Sequence, residues 1–120
     1  LCVLTILAHR YGLYDSRWWY DNMMHTLGGI FLSFLGYRLL FRYENKMVLS
    51  SRVVAVILFV FTVGVFWEAY EYAVQLAFPF EHIASPLDSI QDVALDLVGG
   101  SIGIVFVSLI KKSYTTMNGN

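Results

Sequence analysis

Residues 86–110 read PLDSIQDVALDLVGGSIGIVFVSLI, and this stretch decides the class of the protein. It is long and almost wholly apolar, yet it carries Asp92 and Asp96 one helical turn apart. About 20 apolar residues, rising about 1.5 Å each in a helix, cross a hydrocarbon core of about 30 Å. Lipid offers the backbone no hydrogen-bonding partner, so a helix is the structure to expect. The stretch also carries its own start signal. Ser85 serves as cap, Pro86 suits the first helical position, and Asp88 completes a capping-box pattern. That role is sufficient for Asp88, which is set aside as a functional candidate.

Two comparable stretches lie upstream, at about Trp18–Phe41 and about Val53–Phe78. The segment Leu1–Tyr14 is shorter and reads as the last half of a further spanning helix whose start lies before Leu1. It lacks a basic n-region and a small-residue cleavage site, so it is not read as a signal peptide. The expected fold is all-α, a multi-pass transmembrane bundle of three complete spans plus a partial N-terminal span. Residues 1–113 form a single transmembrane domain in this reading, and residues 114–120 form a polar C-terminal tail.

The whole chain agrees with its most apolar stretch. Among 120 residues, 58% belong to the AVILMFWYC set and only 14% are charged. Soluble domains carry about 25% charged residues, and a chain this small could not bury so much apolar surface. A net charge of −1 excludes a basic nucleic-acid binder. The lone Cys2 allows no internal disulfide. The lipid bilayer is the expected partner and the inner or plasma membrane the expected location.

The few charges are unevenly placed. Arg38, Arg42, Lys46, Arg52, Lys111 and Lys112 flank one side of the spans with a single acid, Glu44. Arg10, Arg17, the histidines and the remaining acids fall on the other. The positive-inside rule then places the basic flank and the C-terminus in the cytoplasm.

Ionisable residues within spans cost several kcal/mol unless paired or hydrated, so they mark function. Asp21 and His25 are spaced i, i+4, Glu68 and Glu71 i, i+3, and Asp92 and Asp96 i, i+4, each pair on one helical face. Measured from Arg38, Arg52 and Lys111 at about 1.5 Å per residue, His25, Glu68 and Asp96 lie about 20–24 Å up their helices. Asp21, Glu71 and Asp92 form a second tier at about 26–29 Å. Gly28, Gly29, Gly64, Gly99, Gly100 and Gly103 accompany these groups and permit close helix approach. Trp18, Trp19, Trp67, Tyr70 and Tyr72 read as interfacial anchors.

Five carboxylates and an imidazole at matched depths suit a divalent cation such as Zn²⁺, Mn²⁺ or Fe²⁺, and an all-oxygen subset would suit Mg²⁺ or Ca²⁺. The candidate metal ligands are Asp21, His25, Glu68, Glu71, Asp92 and Asp96, with His25, Glu68 and Asp96 as the inner set. Without a cation the carboxylates would repel one another, and some would hold protons. The spacing matches no zincin motif, EF-hand loop or P-loop.

The strings YDNMMHTLGG, WEAYEY and LDSIQDVALDLVGGSIG together resemble the YjdF-like inner-membrane proteins, within a wider VanZ-like group. Asp21 and His25 match an Asp-x-x-x-His opening one helix. Trp67, Glu68 and Glu71 match a Trp-Glu-x-x-Glu closing the next, and Asp92, Asp96, Gly99 and Gly100 match an Asp-x-x-x-Asp motif opening the last. VanZ-like members proper carry Gln and Asn where this chain has Glu71 and Asp96, which favours the YjdF-like branch. The resemblance implies additional upstream spans and no established reaction.

Three functions compete on these residues. One is a cation site acting on a lipid or envelope substrate by metal-assisted hydrolysis or transfer, with a spare carboxylate as base. The second is a proton- or cation-coupled transporter whose carboxylates relay charge. Against it, the cytoplasmic halves are nearly free of polar residues. The third is a structural module whose acids tie helices together by hydrogen bonds.

Overall fold

The computed structural model describes residues 18–41, 48–77 and 85–118. They form three helices, α1 (Trp18–Leu40), α2 (Leu49–Ala77) and α3 (Pro86–Asn118). The segment Leu1–Tyr14, read above as a partial span, lies outside the described residues, as do the polar connections around Glu44 and Glu81.

The start of α3 follows its local signal. The Ser85 hydroxyl accepts from the Asp88 backbone N–H at 3.2 Å, and the Ser85 carbonyl accepts from the Asp88 and Ser89 N–H groups at 3.0 and 3.2 Å. Donors left over at a helix N-terminus are thereby satisfied. At the other end α3 continues beyond Ile110 to Asn118 and takes in most of the polar tail.

Among the described residues, two helices have the length and apolar character to cross a membrane, Leu49–Ala77 and Pro86–Ile110. The expectation of three complete spans is met in full by these two alone. With 23 residues α1 is long enough, but its N-terminal part carries Tyr20, Asp21, Asn22, His25 and Thr26. These polar groups lower its hydropathy, and their placement has its own reason.

That reason is the inverted polarity of the bundle. The buried stripe of α1 is His25, Gly28, Gly29, Ser33 and Gly36. On α3 it is Asp92, Asp96, Gly99, Gly100 and Gly103, and only α2 offers apolar side chains, Val56 and Val60, above which comes Gly64. Leu27, Phe31, Leu58, Phe66, Val105 and Phe106 point outward, Phe66 with 71% of its surface exposed. Water would favour the opposite arrangement. Lipid tolerates apolar groups outside and forces polar ones inward.

Glycine makes the closest approach possible. A side chain on Gly29 would run into the Asp96 carbonyl, and one on Gly99 into the Thr26 carbonyl. One on Gly103 would strike the Ser33 hydroxyl. α1 and α3 therefore touch backbone to backbone, as small residues permit in membrane bundles, and share the most extensive interface among the three described helices.

Candidate metal centre

The α1–α3 contact brings one imidazole among acids from all three helices. Asp21 stands one turn before His25 on α1, Glu68 reaches in from the C-terminal part of α2, and Asp92 and Asp96 stand on consecutive turns of α3. His25, Asp92 and Asp96 retain only 7%, 3% and 4% of their surface.

The two faces of the imidazole are different. Nε2 lies 3.8 Å from Asp21 Oδ1, 3.9 Å from Glu68 Oε1 and 4.0 Å from Asp92 Oδ1. Nδ1 lies 3.5 Å from Asp96 Oδ1. Hydrogen bonds to nitrogen run at about 2.7–3.2 Å, so the three contacts on Nε2 are too long to be hydrogen bonds. Ligands of one ion bonded at about 2.0–2.3 Å sit up to about 4.5 Å apart, and these distances fall within that span. Glu68 Oε1 and Asp92 Oδ1 are buried and accept no hydrogen bond from any protein group. Leaving such an oxygen unpaired costs about 1–3 kcal/mol, more when it is charged.

Two overlapping sets can hold a metal ion: Asp21, His25 and Asp92, and His25, Glu68 and Glu71. Every sequence-derived candidate except Asp96 is a member of one of them. Asp96 faces the other imidazole nitrogen, where a carboxylate fixes the ring and its tautomer for a ligand on Nε2. The depth tiers had joined Asp96 to His25 and Glu68 and set Asp21 and Asp92 apart. In the structure Asp21, Glu68 and Asp92 stand together at Nε2 and Asp96 stands at Nδ1, a division that depends on the imidazole rotamer and that helix spacing does not dictate.

Two side-chain hydrogen bonds join the site that the sequence reading had not drawn, and they bring in Gln91 and Asn22. The Trp67 indole N–H donates to Glu71 Oε1 at 2.9 Å, so Trp67 holds a cluster residue in addition to any interfacial role. Gln91 Nε2 donates to Asn22 Oδ1 at 2.9 Å, a bridge between α3 and α1. Each is sequence neighbour to a candidate acid, Asn22 to Asp21 and Gln91 to Asp92. Paired amides inside apolar helices were the signal available for them.

Beside the cluster, a half-open crevice of about 130 Å³ lies between α1 and α2. Met24, Phe31, Leu32, Val63 and Trp67 form its walls, with Gly28 and Gly64 in its floor and His25, Glu71 and Asp96 at its polar end.

Apolar helices turned outward around a buried acid–imidazole cluster define a helical membrane protein. The chain belongs to the family described as "Predicted membrane protein (DUF2238)", whose model matches residues 1–113. No curated protein and no solved structure matches it.

Proposed function

We propose that the protein is a YjdF-like, VanZ-related inner-membrane protein that binds one divalent cation in its outer half and acts there on a lipid or envelope substrate. In this reading α1 crosses the bilayer beside the other two helices, and the basic flank and C-terminus face the cytoplasm. The carrying observation is the pair of buried, unpaired oxygens, Glu68 Oε1 and Asp92 Oδ1, turned toward His25 Nε2. A cation among them would offset the repulsion and the desolvation together.

His25 Nε2, Asp21, Glu68 and Asp92 would hold the ion, a mixed nitrogen–oxygen set suited to Zn²⁺, Mn²⁺ or Fe²⁺. Asp96 would keep the imidazole oriented, and Glu71, held by Trp67, is the carboxylate placed to exchange a proton with a bound substrate. Such an ion supplies Lewis acidity toward an ester or phosphoryl oxygen.

The transport reading has less support. Below the cluster the interior is closed by Val56, Val60 and Phe59, whose ring faces Gly36. A purely structural network would have its acids satisfied by hydrogen bonds, and Glu68 and Asp92 each leave an oxygen without one.

The test is metal content of protein purified from membranes without chelator. One equivalent of a divalent metal is expected in the wild type, with strong loss in His25→Ala, Glu68→Gln and Asp92→Asn. A metal-free wild type that also fails to take up Zn²⁺ or Mn²⁺ on titration overturns the proposal.

A further inference from the structure

We propose that Asp88 is the receiving carboxylate of the cluster, drawing a hydrated divalent cation from solvent to the start of α3 and passing it inward to Asp92. The proposal rests on the cation reading above and adds the route by which the site is loaded.

The local sequence accounts for Asp88 as a capping residue, and the structure shows which part of that role is filled. The backbone N–H of Asp88 donates to the Ser85 hydroxyl and carbonyl. The carboxylate enters no hydrogen bond or ion pair among the described residues, and Asp88 is exposed. The cap is made by the backbone alone, so the charge of the side chain is not explained by it.

Helix geometry gives that charge a direction. Asp88, Asp92 and Asp96 follow at i, i+4 and i+8, on one side of α3 and about 6 Å apart along its axis. Burial rises steeply along this line, from exposed Asp88 to buried Asp92 and Asp96. The two inner members are the ones that meet the imidazole, Asp92 at Nε2 and Asp96 at Nδ1. Asp21 joins them from α1, beside Nε2, with a quarter of its side chain still exposed. The charge of Asp88 acts on both Asp21 and Asp92, so it stands within electrostatic reach of two of the proposed ligands.

What marks this line as a route for a ligand is Asp92 Oδ1, a buried oxygen one turn beyond Asp88 that accepts no hydrogen bond. The neighbouring approaches suit an ion less well. The α1–α3 seam is sealed at Gly29 and Gly99 by backbone contact. The α1–α2 crevice has walls of Met24, Phe31, Leu32 and Val63, which supply no oxygen to replace the water around an ion. A line of carboxylates does supply it, one turn at a time. The hydrogen bond from Gln91 to Asn22 ties α3 to α1 in the same turns and fixes the width of the entrance.

The test follows Zn²⁺ uptake by the chelator-treated full chain in phosphatidylcholine nanodiscs, read with a zinc-sensitive dye in stopped flow. Bound metal is counted on the same samples. Asp88→Asn keeps the backbone cap and is expected to slow association about threefold to tenfold at low salt, with dissociation nearly unchanged. The difference should shrink at high salt, where exposed charges are screened. Asp88→Glu keeps the charge and should bind at the wild-type rate. Equal association rates in wild type and Asp88→Asn at low salt overturn the proposal. A slow rate shared by Asp88→Glu overturns it too, since the effect would then belong to the helix start. In both cases retained metal leaves the cation reading standing. A wild type that takes up neither Zn²⁺ nor Mn²⁺ removes the cation reading and the loading route with it.

Discussion

Asp92 is 3% exposed and one of its carboxylate oxygens has no hydrogen-bond partner, so its contribution to stability should change sign with the metal. In chelator-treated protein, Asp92→Asn removes a buried charge and should be neutral or raise the thermal midpoint. With Mn²⁺ or Zn²⁺ present, the same variant should be the less stable form, since saturating an intact site at about 100 Kd adds about 2.7 kcal/mol. Thermal unfolding in detergent, with and without metal, measures both signs. An equal loss of stability under both conditions would show that Asp92 serves the fold and not an ion. Asp96 should behave otherwise. Since it touches Nδ1 alone, Asp96→Asn should weaken metal affinity about 10–100-fold without abolishing binding, and a competition titration against a metal dye would show it.

At the scale of the helix, Gly29 and Gly28 are adjacent yet carry opposite expectations. Gly29→Ala forces α1 away from the Asp96 carbonyl and should cost about 1–3 kcal/mol, the usual toll of overpacking. Gly28→Ala should be neutral or stabilising by up to about 1 kcal/mol. Comparing the midpoints of the two variants in one detergent settles the contrast, and equal destabilisation would refute the distinction. At the start of α3, Ser85→Ala removes the cap on Asp88 and should cost about 1 kcal/mol, read in the same assay. Much at this scale was legible in the sequence. The apolar stretches read as Trp18–Phe41, Val53–Phe78 and Pro86–Ile110 match the helix limits Trp18, Leu40, Ala77 and Pro86 to within one residue, while α2 starts four residues earlier than read, at Leu49, and Ser85–Pro86–Asp88 marked its helix start. The run of α3 past Ile110 was not legible, because Ser113–Asn118 are polar and nothing in their local pattern demands a helix.

For the whole molecule, the arrangement of polarity makes an orientation testable. With Cys2 replaced by serine, single cysteines at Leu87 and Ser113 should react with a membrane-impermeant maleimide from opposite sides of intact cells and inverted vesicles. Leu87, 75% exposed at the start of α3, is expected to label from outside, and Ser113 from the cytoplasm. The reverse pattern would invert the proposed topology and place the acidic cluster at the cytoplasmic face.

What the sequence determined by itself is the set of helices, their caps and the identity of the polar groups that had to face inward. Those features depend on short-range terms: hydropathy summed over about 20 residues, a cap three residues long, and the i, i+4 geometry of one helix. What only the tertiary structure decided is which of these groups meet and by which atoms. It gave Nε2 of His25 to Asp21, Glu68 and Asp92, gave Nδ1 to Asp96, turned Trp67 toward Glu71, and left the crevice beside Gly28 open. Those outcomes follow from the rotation of three helices about their axes and from one imidazole rotamer. The mutual rotation of α1 and α3 is held by glycine contacts between residues about 70 positions apart in the chain, a separation over which no sequence period carries information.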